Sequence, residues 1–328
     1  MDIAGIYSSF HLEQMATTPC TVCCIGLGAM GWGIAANLAL RKADIGSHIA
    51  VWNRTQSKAH EHAAAYGTHV VETLAAAADM DVIVTCLPTS AEVASVAHEM
   101  SPHLRSGALW IDCTSGDPQA TRDICAFVAQ KGVDFVDSPV SGGPQGALSG
   151  ALTAMVGGSV FNRAQPFIAC FARKKIVHCG GVGSGHAVKA MNNCLNAAHL
   201  IVAGEALLAL AEFGVDPALA LDAINASSGR SLQTEVRVPT EVLTRKFDYG
   251  FKLGLMLKDV NTAILGLGVP ETDTSLLRLT RNVLDASVNE HGVDVDYTTV
   301  IQTLEGRAGR KLLPLEPTYH GASRICKK

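Results

Sequence analysis

Gly26-Leu27-Gly28-Ala29-Met30-Gly31 lies between an apolar run, Thr21 to Gly26, and a helical run, Trp32 to Leu40. A G-x-G-x-x-G pattern carries weight only when it leaves a strand and opens a helix in this way. The first glycine makes the tight turn, the second lets backbone approach a pyrophosphate, and the third lets helix and strand pack closely. The helix N-terminus adds free N–H groups and the positive end of its dipole. Gly26, Leu27, Gly28, Met30 and Gly31 are therefore candidate dinucleotide contacts, the competing reading being a plain glycine-rich turn.

Outward from this loop, short apolar runs alternate with helical patterns as far as His178. The runs are Thr21 to Gly26, His48 to Trp52, Asp81 to Leu87, Ala108 to Asp112, Asp134 to Asp137, Leu152 to Val156 and Ile176 to Cys179. Alternation of this kind predicts βαβ units with right-handed crossovers, hence a Rossmann-type doubly wound sheet with its ligand crevice at the carboxyl ends of the strands. After Gly180-Gly181-Val182-Gly183-Ser184-Gly185 the alternation stops. His186 to Phe213 reads as one long helix of about 28 residues, roughly 42 Å. Pro217 to Ala226, Leu255 to Leu267, Glu271 to Glu290 and Tyr297 to Leu304 also read as helices, with Gly214, Gly268 and Gly292 as stops. The expected class is α/β: residues 1–20 an N-terminal extension, 21–183 the dinucleotide-binding domain, 184–310 an all-α domain joined by the long helix, and 311–328 a tail.

Composition narrows the function. Charged residues make up 17% and apolar ones 48% of the 328 residues, so much surface must face protein, with at least a homodimer, or a homotetramer, expected. The 26 basic and 30 acidic residues form no basic patch, which argues against nucleic acid. Asn196 to Phe213 contains His199 and Glu205, which argues against a membrane span. The first twenty residues lack the features of a secretory or transit segment, so a cytoplasmic location is expected. The ten cysteines read as reduced, buried thiols, and Cys20 and Cys23, though spaced as CxxC, enter a strand instead of opening a helix.

The residue about 20 positions past the glycine loop selects the dinucleotide, an acid there bonding the ribose hydroxyls of NAD. Trp52-Asn53-Arg54-Thr55 offers no acid. Asn53, Arg54 and Thr55 suit a 2′-phosphate, so NADP(H) is preferred with NAD(H) possible, the competing reading being that Arg54 is only a solvated charge. Ser141-Gly142-Gly143, after Asp134 to Asp137, either presents a hydroxyl and bare N–H groups to a carboxylate or is a tight loop steered by Pro139 and Pro144. Lys189 and Asn193 share one helical face, with Asn196 a turn further on. Lys189, among Ala187, Val188, Ala190 and Met191, is either partly desolvated and fit for acid/base work or a surface lysine.

Gly26 to Gly31 with Ala36-Asn37-Leu38, Pro139-Val140-Ser141-Gly142-Gly143, Gly183-Ser184-Gly185 with Lys189 to Asn193, and Phe251 through Leu257-Lys258-Asp259-Val260 together resemble the β-hydroxyacid dehydrogenase family, which includes 3-hydroxyisobutyrate dehydrogenases. The motifs occur in order over about residues 20–310. The resemblance implies a 6-phosphogluconate dehydrogenase-like NADP-binding domain and an oxidoreductase acting on a small 3-hydroxy acid or its semialdehyde. It implies Lys189 as catalytic acid/base, Asn193 holding the same oxygen, and Ser141, Gly142 and Gly143 holding the substrate carboxylate, with no metal. Leu87, Pro88 and Ser115 match positions that line the cofactor, and Lys258 matches the lysine that reaches its nicotinamide end.

Some positions depart from the family pattern. Thr114-Ser115-Gly116 stands where many relatives carry Ser-Thr before a branched apolar residue, Glu92 where an Asn is frequent, and Leu232, after Ser227-Ser228-Gly229-Arg230, where an aromatic follows. Arg230 either faces a second anionic group or ties helices together, the second being favoured. Among alternatives, 6-phosphogluconate dehydrogenases are longer, imine reductases usually carry another residue at the place of Lys189, and non-catalytic dinucleotide-binding interaction proteins have typically lost that lysine.

Overall fold

The structure, a computed structural model, describes residues 20–269, 272 and 275–313. Nearly all of the expected N-terminal extension, most of the expected tail, and Glu271 at the start of an expected helix lie outside the described residues. The chain divides after His186 into two compact units.

The first unit carries a nine-stranded sheet in the order β3-β2-β1-β4-β5-β6-β8-β7, with β9 paired to β8. The strands are β1 (Cys20–Ile25), β2 (Ser47–Trp52), β3 (His69–Val70), β4 (Val82–Thr85), β5 (Leu109–Asp112), β6 (Asp134–Asp137), β7 (Val140–Ser141), β8 (Thr153–Gly157) and β9 (Lys175–Gly180). Pairing is parallel from β3 across to β6, as the alternating pattern predicts, then turns antiparallel where β8 meets β6 and β7. The two-residue strands β3 and β7 are absent from the sequence expectation, being too short to form an apolar run.

Both faces of the sheet are covered, which is why its central strands are apolar at nearly every position. Val22 and Cys24 of β1 point into a layer with Ile34 and Leu38 of α1 (Gly31–Leu40) and Ile168 and Phe171 of α7 (Phe161–Phe171). Cys23 and Ile25 point the other way, into a layer with Leu74 of α3 (Leu74–Ala78), Val93 and Met100 of α4 (Ser90–Met100), and Ile124 and Val128 of α5 (Pro118–Ala129). The remaining helices are α2 (Gln56–Tyr66) and α6 (Gly143–Ser149). Two glycines and a proline hide α6 from a propensity reading. Asn37 on α1 donates to the carbonyls of Ala147 at 2.8 Å and Leu148 at 3.2 Å, and a Cβ at Gly33 would sit 2.5 Å from the Ala147 carbonyl carbon. This close α1–α6 contact accounts for the Ala36-Asn37-Leu38 motif.

The second unit is helical. It contains most of α8 (Ser184–Phe213), then α9 (Pro217–Asn225), a wide π-type helix over Gln233–Val242, α10 (Leu253–Gly266), α11 (Leu276–His291), a 3-10 turn at Tyr297–Thr299, and α12 (Val300–Ala308). The π-type helix is a departure from the sequence reading, since Pro239 lies inside it. Gly214, Gly268 and Gly292 take φ of +97°, +69° and +89°, the left-handed values that suit glycine at helix ends. By length and composition α8 would cross a membrane, yet its Cys194, Leu200, Ile201 and Leu207 pack with Val238, Met256, Val260 and Ile301 in a core. At Gly204 an added Cβ would lie 2.5 Å from Ile301 Cδ1, so the glycine lets α12 approach α8.

Candidate active site

In the first unit the glycine loop stands at the carboxyl end of β1, where the strand order reverses between β1 and β4. Gly26 has φ +98°, and a Cβ there would run into the Cys86 carbonyl and sit 2.8 Å from Leu87 Cδ2. A Cβ on Gly31 would strike the Gly26 carbonyl, whereas one on Gly28 would meet nothing within 4 Å. Gly26 and Gly31 are thus required by the chain itself; Gly28 faces open space. Thr73, Thr89, Asp117 and Asp216 cap α3, α4, α5 and α9 through their side chains, but Met30 at the start of α1 provides no such cap. Exposed Gly28 and Ala29, uncapped helix and free space together fit the pyrophosphate of a dinucleotide.

Asn53 is committed to the loop. Its Oδ1 accepts from Leu27 N at 2.9 Å and its Nδ2 donates to the Thr55 carbonyl at 3.0 Å. Arg54 and Thr55 are exposed beyond it, Arg54 having no hydrogen bond or ion pair among the described residues. Leu87 N donates to Thr114 Oγ1 at 3.1 Å, joining the ends of β4 and β5 just before exposed Pro88 and half-buried Ser115. Glu92 accepts from the Thr89 hydroxyl in the first turn of α4, a local role that accounts for the acid at that place.

Ser141, half-buried on β7, pairs with Thr153 of β8 and leads into Gly142 and Gly143, whose φ of +140° and +67° favour glycine. At the start of α8, Asp137 accepts from Gly183 N at 2.8 Å and His186 N at 2.9 Å. A Cβ on Gly185 would lie 2.8 Å from Asp137 Oδ2, so the Gly183-Ser184-Gly185 motif makes room for a buried carboxylate cap. Burial pushes the Asp137 carboxyl up from its ordinary value, while His186 and the two N–H bonds oppose this. All nine described cysteines are free, and burial raises their thiols, Cys86 to about 12, so they sit as inert apolar groups.

The second unit holds the acid/base candidates. Lys189 is 8% exposed and has no hydrogen bond or ion pair among the described residues. Burial pushes its ammonium below the ordinary 10.5; the Asp259 carboxylate on α10 opposes this and Lys258 adds to it. Asn193 Nδ2 donates to Asp259 Oδ2 at 2.6 Å, and Asp259 Oδ1 pairs with Lys258 Nζ at 2.9 Å. Asn192 Nδ2 donates to Asn193 Oδ1 at 3.2 Å, so both ends of the Asn193 amide are held, with one amide hydrogen left over. One turn on, Asn196 accepts from the buried Gln233, which also accepts from the Tyr297 hydroxyl at 3.4 Å.

Lys189, Asn193 and Lys258 thus gather around Asp259, which the sequence reading quoted only as part of a motif and gave no role. Its pairing across two helices has no local signal. Gln233 was missed because it lies in the unanticipated π-type helix, next to Leu232, which is 56% exposed. Arg230 is exposed, with Glu235 at 4.0 Å.

Residues 21–181 match the family described as the NAD binding domain of 6-phosphogluconate dehydrogenase, and residues 183–304 the one described as NAD-binding of NADP-dependent 3-hydroxyisobutyrate dehydrogenase. The 2-(hydroxymethyl)glutarate dehydrogenase of Eubacterium barkeri is 35% identical over 247 residues, 73% of this chain and 80% of its own. Human mitochondrial 3-hydroxyisobutyrate dehydrogenase is 35% identical over 273 residues, 79% of each chain. Among solved structures, the Mycobacterium tuberculosis 3-hydroxyisobutyrate dehydrogenase with L-serine superposes with a TM-score of 0.78 at 29% identity, covering 88% of this chain and 99% of that one.

Proposed function

This chain belongs to the β-hydroxyacid dehydrogenase family of NAD(P)-dependent oxidoreductases, and from that premise we propose that it interconverts a small 3-hydroxy acid and its semialdehyde. The observation that carries the reading is Lys189: a buried ammonium, disfavoured by desolvation and without a hydrogen-bond partner among the described residues, beside an asparagine held by Asp259. Such a lysine gives up its proton more readily than an exposed one, which suits acid/base work.

A nicotinamide cofactor held there would supply the hydride chemistry. Lys189 protonates the carbonyl oxygen on reduction and deprotonates the hydroxyl on oxidation. Asn193 donates its remaining amide N–H to that same oxygen. Ser141 and the N–H groups of Gly142 and Gly143 take the carboxylate. Gly26, Leu27, Gly28, Met30 and Gly31 would hold the pyrophosphate, Leu87, Pro88 and Ser115 would line the cofactor, Lys258 would serve its nicotinamide end, and Arg54 with Thr55 would favour a 2′-phosphate. Lysine and amide donors suffice to polarise the carbonyl.

The substrates named for the relatives, 3-hydroxyisobutyrate and 2-(hydroxymethyl)glutarate, share a hydroxymethyl carbon next to the carbon bearing a carboxylate, as does L-serine. That unit defines the proposed substrate class. Initial rates on such acids and their semialdehydes, each with both cofactors, test it. Turnover with NADP(H) favoured supports the whole reading; no turnover despite tight cofactor binding transfers it to an imine substrate or a binding role. We also propose that the chain pairs with a second copy through α8, where Val188, Leu195 and Val202, seven residues apart, are 44%, 47% and 60% exposed. A monomer in sedimentation at micromolar concentration overturns that.

A further inference from the structure

Gly116 is a glycine for want of space. Its φ lies outside the left-handed region, so conformation does not demand it. An added Cβ would sit 2.6 Å from Ser90 Oγ and 2.9 and 3.0 Å from Cε1 and Nδ1 of His186. The His186 imidazole therefore fills the space that a side chain at position 116 would need.

His186 is fully buried and bonded at both ring nitrogens. Nε2 lies 2.8 Å from the Thr114 carbonyl and must donate to it, because a carbonyl only accepts. Nδ1 lies 2.7 Å from Thr121 Oγ1 on α5. The segment Thr114–Asp117 is held at both ends, since Thr114 Oγ1 accepts from Leu87 N and Asp117 N donates to Ser90 Oγ at 2.8 Å. Between those ends the Thr114 carbonyl depends on His186, and Ser115 follows immediately.

We propose that His186 is a positioning residue for the cofactor: with Gly116 it sets the path of the loop after β5 and so fixes Ser115. The inference rests on the reading of Ser115 as a cofactor contact. The ring and the missing side chain at 116 form a matched pair, each explaining the other. Removing the ring frees a buried carbonyl from its donor and opens a hole beside the loop; adding a methyl at 116 pushes ring and loop apart.

The test is the dissociation constant of NADPH and NADH, read by fluorescence on the full chain, together with substrate KM and thermal melting. Gly116→Ala and His186→Ala should each raise the cofactor Kd about tenfold while substrate KM moves less than about twofold. The double variant should recover at least about threefold over the weaker single variant, because the new methyl then points into space the imidazole has left. A merely structural role would lower the melting temperature without changing the Kd of the folded fraction. Should His186→Ala not fold, His186→Val, which is smaller than the ring and offers no donor to the Thr114 carbonyl, replaces it in the same cycle with the same expected rescue. Unchanged Kd in the single variants, or additive losses in the double, overturns the inference alone. A wild-type chain that binds neither cofactor overturns both the inference and the reading beneath it.

Discussion

The glycine loop of the first unit and the Lys189 cluster of the second are built from opposite materials. The loop is backbone: Gly26 and Gly31 are there because a side chain would collide with carbonyls, while Gly28 stands beside free space. The cluster is side chain: Lys189 and Asn193 come from one helix, Lys258 and Asp259 from another. A backbone site leaves its geometry in residue spacing, since only glycine satisfies it. A side-chain site depends on which helices pack, and that information is dispersed along the chain.

The largest effect should come from breaking the cluster while sparing the loop. Lys189→Met keeps the length and apolar stem of a buried side chain and removes its proton. Turnover should fall by about 10²- to 10⁴-fold, the usual span for a lost general acid or base. Cofactor affinity, measured by fluorescence titration, should hold. Turnover equal to wild type would remove Lys189 from the mechanism.

Breaking the loop while sparing the cluster separates the glycines. Gly28→Ala meets no protein atom, so it should fold normally and lose cofactor affinity by about tenfold or more, the methyl occupying ligand space. Gly31→Ala drives a methyl into the Gly26 carbonyl and should lower the melting temperature sharply. Normal cofactor binding by a folded Gly28→Ala would mean that the open space beside the loop is not where the pyrophosphate lies.

The same contrast explains what the sequence made legible. The parallel part of the sheet was readable because both faces are covered, so β1, β4 and β5 are apolar but for Thr21, Thr85 and Asp112. β7 and α6 were not, because two residues make no period and a helix rich in glycine and proline contradicts propensity. In the site, the glycines and the Lys189–Asn193 spacing were readable from local pattern. Asp259, His186 and Gln233 were not, because each acquires its role from a residue more than thirty-five positions away, as the pairs Asn193–Asp259, Thr114–His186 and Asn196–Gln233 demonstrate.

Asp259 sharpens the comparison because it acts on the cluster through its side chain. Its carboxylate raises the Lys189 pKa, against burial and Lys258, which lower it. Asp259→Asn removes that support, so the ammonium form ends at lower pH. For reduction, which needs the protonated lysine, the alkaline limb of kcat should move to lower pH. For oxidation, which needs the neutral amine, the acid limb should move the same way. An asparagine there also no longer dictates which end of the Asn193 amide faces it, so kcat should fall by about tenfold even at the new optimum. Loss of activity with both limbs in place would mean that Asp259 only supports the packing of α8 on α10.

The smallest effect lies at the rim of the loop. Asn53 has both amide ends engaged, by Leu27 N and the Thr55 carbonyl, so it holds the loop and has little left to read a ribose. Under the proposed NADP preference, selection between cofactors falls to Arg54 and Thr55. An exposed guanidinium does little for folding, but a 2′-phosphate would offer it charge-assisted, bidentate bonds that a 2′-hydroxyl cannot. Arg54→Ala should weaken NADPH about tenfold and leave NADH within about twofold. Asn53→Ala should weaken both equally, because it loosens the glycine loop that any dinucleotide needs. If Arg54→Ala also weakened both equally, Arg54 would belong with Asn53 as part of the loop's support, and the preference for NADP would have no residue to carry it.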